Sequence, residues 1–219
     1  SHGRSALDIS ALQADGVSLP ARGIASLLVE HLTPSGRLEV AALNELRNWD
    51  GRISADSVAA SIYEVFRNEL VRARHGAALG DMLPVLLGVG PHPLLGVASS
   101  FYFLQTQRVL SFLEASPSDP VVRRAFHATV GSLSRRLGPR VSTWHWGRVH
   151  QLRLEHSLSV RKPLGMLFDV PSFAWGGDLE TVRAGGSQPG QLTAGGPISA
   201  YRFIADCGDW DNSLGCLPG

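Results

Sequence analysis

The chain has 219 residues, of which 44% are hydrophobic and 18% charged, so it can build a real core and is not a disordered tail. Its net charge of +1 gives no reason to expect a nucleic-acid or membrane-surface partner. The longest apolar stretch, Met82 to Leu104, is broken by Pro84, Gly88, Gly90, Pro91 and Pro93, which argues against a membrane span.

The first half reads helical. Ser5 and Asp8 form a capping-box-like start, and Leu7, Ala11 and Leu12 follow at helical spacing. Pro20 suits the first turn of a helix running to about Leu32, and Pro34-Ser35-Gly36 ends it. A third helix is expected from about Leu38 to Leu46, closed by a turn at Asn48-Trp49-Asp50-Gly51. Val58, Ile62, Val65, Phe66 and Leu70 mark the apolar face of the clearest helix. The stretch from His75 to Ser116 is apolar but punctuated and yields no assignment. Helix returns from about Asp119 to Leu137 and stops at Gly138-Pro139.

Strand patterns then replace helical ones. Candidates are Arg148 to His156, Glu180-Thr181-Val182-Arg183, and Tyr201-Arg202-Phe203-Ile204-Ala205. The expected fold class is therefore α+β: a mainly helical segment over residues 1–139 and a mainly β segment, of antiparallel strands, over residues 140–219.

Several residue groups invite a chemical reading. His145, His150 and His156 suggest a metal cluster, yet His150 and His156 on one strand would stand roughly 20 Å apart, and zinc needs converging ligands. Structural histidines explain them better, and no metal site is assigned. Trp144, Trp146 and Trp175 suit either an acyl pocket or core packing, with packing the simpler account. Gly176-Gly177 and Gly185-Gly186 lack the helix and lysine of a phosphate loop and read as turns. Asp50 and Asp56 are explained by the dipole of a nearby helix start. Ser199 has no base that sequence identifies. Cys207 and Cys216 are separated by turn-forming residues that would let the sulfurs meet in a disulfide. Two free thiols are the other reading, and a metal site lacks a second thiol pair.

One ordered set of motifs spans most of the chain. Ser10-Ala11-Leu12-Gln13-Ala14-Asp15 comes first, then Leu46-Arg47-Asn48-Trp49-Asp50-Gly51 and Ser57-Val58-Ala59-Ala60-Ser61-Ile62-Tyr63. Trp144-His145-Trp146-Gly147-Arg148-Val149-His150, Trp175-Gly176-Gly177 and Tyr201-Arg202-Phe203-Ile204-Ala205-Asp206 follow in the same order. Together they resemble the C-terminal part of the β chain in the penicillin acylase (penicillin amidase) family of N-terminal nucleophile hydrolases.

The resemblance implies an αββα sandwich, of which this chain supplies the helical excursion and some strands, truncated at the C-terminus. It implies hydrolysis of small acylated amides by an exported, periplasmic or extracellular bacterial enzyme, cut from a precursor into two chains. The nucleophile in that family is the N-terminal serine of the second chain, activated by its own α-amino group, which titrates near pH ~8. An oxyanion hole that includes an asparagine stabilises the intermediate. Here Ser1 is followed by His2-Gly3-Arg4 rather than by Asn, one residue and Trp, so no catalytic residue is assigned within the chain. The implied partners are the amide substrate and the remainder of the precursor, namely the α chain and the N-terminal part of the β chain. No cofactor is expected in this segment; calcium occurs in some family members through ligands that lie mostly elsewhere. The alternative is a non-catalytic relic or small-molecule binding module that retains the scaffold.

Overall fold

The structure is a computed structural model that describes residues 6–81, 83, 98–161, 163–187, 192–198 and 201–216. Six helices of two turns or more lie among these residues, and every one precedes the strands. They are α1 (Ala6–Gln13), α2 (Leu19–His31), α3 (Arg37–Arg47), α4 (Val58–Leu79), α5 (Ala98–Ala115) and α6 (Pro120–Leu137). The proposed cap at Ser5 lies outside the described residues, as does most of the apolar stretch before α5.

Local chemistry fixes the helix ends. The Ser18 hydroxyl accepts from the Ala21 amide at 3.4 Å, with Pro20 in the first turn of α2. The Ser57 hydroxyl accepts from the Ala60 amide at 3.1 Å and starts α4. The Asp119 carboxylate accepts from the Val121 amide at 2.8 Å and starts α6, which Gly138 ends at φ +93°. At α3 the Glu39 carboxylate reaches back to the Ser35 amide at 2.7 Å and hydroxyl at 2.8 Å. His127 of α6 lies 2.8 Å from the other Glu39 oxygen. These bonds and the His127 charge outweigh the upward push of burial and hold Glu39 below its usual range.

Helix α4 is the spine of the core. Every residue from Val58 to Asn68 is buried, and the helix packs chiefly on α6, with α2, α3 and α5 around it. Phe66 meets Phe126 of α6 at 6.3 Å between ring centroids. A helix buried on every side over its first three turns, its polar groups Ser61, Glu64, Arg67 and Asn68 included, lies in the interior of a bundle. No helix among the described residues is long and apolar enough to cross a membrane.

The turn at residues 49–52 follows α3 and bonds to the start of α2. Gly51 has φ +82°, and a Cβ there would fall 2.8 Å from the Ser18 carbonyl oxygen, so only glycine fits. The Gly51 carbonyl accepts from Ser18 at 2.9 Å, and the Asp50 carboxylate accepts from the Arg52 amide at 2.8 Å. Asp50 thus ties a turn rather than serving a helix dipole, while Asp56 precedes the true cap, Ser57.

The strands form two small sheets. β1 (Gln151–Leu154), β2 (Val170–Ala174), β3 (Gly185–Ser187) and β4 (Ala194–Ile198) lie in the order β2-β1-β4-β3. β1 pairs antiparallel with β2, Leu152 facing Phe173, and β3 pairs antiparallel with β4. β5 (Arg202–Ile204) and β6 (Leu214–Cys216) make a separate antiparallel hairpin. The α+β character is present. The expectation of purely antiparallel strands needs correction, because β1 and β4 run parallel through Leu152 and Ala194.

Two further strand assignments change. Glu180 to Arg183 is a turn. The Asp178 carboxylate accepts from the Glu180 amide at 2.7 Å, the Thr181 hydroxyl accepts from the Asp178 amide at 3.0 Å, and Gly177 sits at φ +84°. Side-chain-to-backbone bonds of this kind satisfy the peptide groups locally and displace a ladder. Conversely, Gly185-Gly186 is not a turn but opens β3. A Cβ on Gly185 would fall 2.6 Å from the Trp175 ring, so the strand passes there only because glycine has none.

Candidate functional site

The helical and β segments meet along the Trp144–His150 run and the loop between β2 and β3. The Trp146 amide donates to the Ser57 carbonyl at 3.0 Å and the Gly147 amide to the Ala55 carbonyl at 2.6 Å. From the loop, the Gly177 amide donates to the Ile53 carbonyl at 2.6 Å and the Arg183 amide to the Asp15 carbonyl at 2.8 Å. Gly147 is also tightly enclosed, since an added Cβ would lie 2.7 Å from the Ala174 side chain and 2.9 Å from that of Ala55.

Inside this junction Trp146 and His150 stack, with centroids 4.4 Å apart and planes 13° from parallel, and both are fully buried. One turn of chain carries both, because the His150 amide donates to the Trp146 carbonyl at 2.8 Å. His150 Nδ1 lies 2.8 Å from the Leu192 carbonyl oxygen and Nε2 lies 2.9 Å from that of Gly185. Burial holds this imidazole below its ordinary range, against the pull of the two carbonyls and of Glu64. A neutral ring carries one N–H and so donates to one of these carbonyls at a time. The ring spans β3 and the chain before β4, which is a structural task.

Beside it lies a buried charge cluster. Arg67 of α4 donates to the Glu64 carboxylate at 2.6 Å and to the Thr106 hydroxyl of α5 at 2.8 Å. Its guanidinium lies 4.9 Å from the centre of the Tyr63 ring. Burial opposes the Arg67 charge, but Glu64 and the other acidic groups more than offset that and raise its pKa. Burial likewise lifts the Tyr63 phenol well above its usual value. The loop adds Asp178, only 3% exposed, and Glu180. Burial, reinforced by Glu64, pushes Asp178 up to about 8, and burial also raises Glu180. Burial among these groups thus favours the neutral form of the Asp178 carboxyl. Its Oδ2 atom is buried and has no hydrogen-bond partner among the described residues.

The three histidines singled out from sequence do not converge. His150 is buried as described; the exposed His145 places Nδ1 2.7 Å from the Asp56 carbonyl oxygen; the exposed His156 accepts from the Leu158 amide at 3.1 Å. Among the described residues no three His, Cys, Asp or Glu side chains are arranged to hold a metal ion. Ser159 donates to Asp169 and not to His156, so these residues do not line up as a nucleophile, base and acid. Trp144 is core, its indole N–H donating to the Gly138 carbonyl at 2.8 Å. Trp175 is half-buried, edge-on to Phe173 at 5.8 Å and covered by Arg183 at 4.8 Å. Ser1 and Ser199 lie outside the described residues.

The expected Cys207–Cys216 disulfide is not formed. The hairpin register sets Cys216 opposite Arg202, while Cys207 lies three residues beyond Ile204 in the connecting loop. Two residues of strand already cover ~7 Å, the limit for bridging, before that loop begins. The Cys207 thiol is exposed and free.

The charge cluster is not apparent from the sequence. One signal was present: Glu64 and Arg67, three residues apart, interrupt the apolar run Ile62, Tyr63, Val65, Phe66. Nothing local connects them to Asp178 and Glu180, more than a hundred residues later.

Comparison with known proteins places the chain. The family model described as penicillin amidase matches residues 2–219. The Penicillin acylase 2 proenzyme of Pseudomonas sp. (strain SE83) is 32% identical over 218 residues, covering 94% of this chain and 26% of that protein. The Acyl-homoserine lactone acylase QuiP of Pseudomonas putida is 27% identical over 244 residues, covering 88% of this chain and 29% of that protein. Its namesake in Pseudomonas fluorescens is 24% identical over 217 residues, covering 93% and 24% respectively. The chain thus spans about a quarter of the length of the curated relatives it matches.

Proposed function

Since the chain belongs to the penicillin amidase family, we propose that it forms part of an amide hydrolase that acts on small acylated amides. The family match over nearly every residue carries this reading. In the proposed reaction an N-terminal serine, supplied by an upstream part of the precursor, attacks the amide carbonyl. The C–N bond breaks, the amine leaves with a proton, and an acyl ester remains on the serine oxygen. Water then hydrolyses that ester to the carboxylic acid and frees the hydroxyl. The relatives' names, a penicillin acylase and acyl-homoserine lactone acylases, supply the two substrate classes to try first.

In this reading the present residues are scaffold and pocket wall, and the sheets are part of an αββα sandwich. The surface of the β segment supports a covered role. All of β2 is exposed, and Met166 and Leu167 before it are 89% and 75% exposed. Phe203 and Trp210 around the second hairpin are also exposed. Apolar surface of this extent normally marks an interface, in this case with the remainder of the precursor. A periplasmic or extracellular bacterial location is part of the same proposal and rests on the family resemblance alone.

The test is an acylase assay on the complete protein and on the 219-residue chain. The complete protein should release free amine from penicillin G or an acyl homoserine lactone, and the chain alone should not. Turnover by the chain alone that vanishes in Ser1→Ala would overturn the assignment of the nucleophile. A complete protein inert on both classes, yet able to bind them, would instead establish a binding module.

A further inference from the structure

We propose that the loop from Gly176 to Gly185 is a proton-operated latch, held on α4 while the Asp178 carboxyl is protonated and progressively freed as solution conditions favour its anion. The geometry carries this. The loop enters and leaves through glycines that admit no side chain: a Cβ on Gly176 would fall 2.9 Å from the Ile53 carbonyl oxygen, and Gly185 is closed off by Trp175. Two amide bonds, Gly177 to Ile53 and Arg183 to Asp15, fasten it to the helical segment. Between these points Asp178 is buried, and its Oδ2 atom has no hydrogen-bond partner among the described residues.

The charged and titratable groups around Asp178 are known from each side. From α4 come Tyr63, Glu64 and Arg67; from the loop itself, Glu180; from α5, the neutral Thr106 hydroxyl, which bonds Glu180. Arg183 is turned over Trp175, and His150 faces Glu64 from the β segment. Arg67 is already engaged by Glu64 at 2.6 Å and Thr106 at 2.8 Å. An Asp178 anion in the closed loop would be drawn by Arg67 but would meet two further carboxyl groups, Glu64 and Glu180, in a buried site where like charges repel strongly. A neutral Asp178 meets no such repulsion.

The sign follows from linkage. The closed loop keeps the Asp178 proton up to about pH 8, whereas the open, hydrated loop would release it near the ordinary aspartate value of 3.8. The latch is therefore tightest below pH ~4. Each pH unit between those limits raises the open population about tenfold, and the rise levels off above the closed-loop value. Opening uncovers Trp175 and frees Gly185, whose carbonyl faces His150.

The experiment is amide hydrogen exchange in the intact protein at pH 5 to 9, corrected for intrinsic base catalysis. Protection of the Gly177, Arg183 and Gly185 amides should fall about tenfold per pH unit up to about pH 8 and then flatten, while amides in the middle of α4 stay protected. Asp178→Asn, which keeps the shape and cannot ionise, should flatten most of the slope, leaving only the smaller part that Glu180 contributes. Flat protection in the wild type, an unchanged slope in Asp178→Asn, or loss shared equally by α4 would each overturn the latch. Should that variant fail to fold, infrared spectroscopy of the wild type decides. The C=O band of a buried protonated carboxyl should be present at pH 7 and gone by pH 9, and its absence at pH 7 would overturn the proposal.

Discussion

Truncating Trp146 tests whether the junction between helices and strands is a packed core. The side chain is fully buried and stacks on His150 at 4.4 Å. Trp146→Ala deletes a large buried aromatic, which typically costs about 3–5 kcal/mol, and the stacked pair adds about 0.5–1.5 kcal/mol that goes with it. Trp146→Phe separates volume from polarity. The Trp146 indole nitrogen is buried with no partner among the described residues, whereas that of Trp144 donates to Gly138 at 2.8 Å. Removing the Trp146 N–H relieves an unmet donor, so Trp146→Phe should cost less than Trp144→Phe by about 1–3 kcal/mol. Urea unfolding of the intact protein, followed by far-ultraviolet circular dichroism, measures all three. With a slope of about 2–3 kcal/mol per molar urea, Trp146→Ala should lower the midpoint by about 1–3 M. A Trp146→Ala loss below about 1 kcal/mol would show the stack to be peripheral. Equal costs for the two Phe variants would refute the distinction drawn between the indoles.

Two further outcomes are expected. Arg67→Leu should destabilise the protein by about 3–5 kcal/mol, because Glu64 is then left buried without its cation, and Glu64→Gln/Arg67→Leu together should cost less than the single change, as a double-mutant cycle in urea will show. Cys207 should react with a maleimide in the native state and Cys207→Ser should shift stability by less than about 0.5 kcal/mol; resistance to the reagent under non-reducing conditions would restore the disulfide.

What sequence determined about this protein is what short-range chemistry writes. Pro20 in a first turn, Asp119-Pro120 at one helix start and Gly138 at its stop act within a few residues, so α2 and α6 were legible to within a residue or two. The apolar period through Val58, Ile62 and Phe66 located α4 for the same reason. The ordered motifs identified the family, since Trp49-Asp50-Gly51 and Trp144 to His150 are fixed by close backbone packing that tolerates few other residues. The strands were read less well. β3 begins with two glycines and is held by His150 from a distant segment, so no propensity announces it. Glu180 to Arg183 has strand-like composition, yet Asp178 and Thr181 capture its peptide groups. The carboxyl cluster was wholly a product of tertiary structure. Asp178 is an ordinary acid until folding buries it near Glu64, and only that desolvation pushes its carboxyl well above the usual aspartate range.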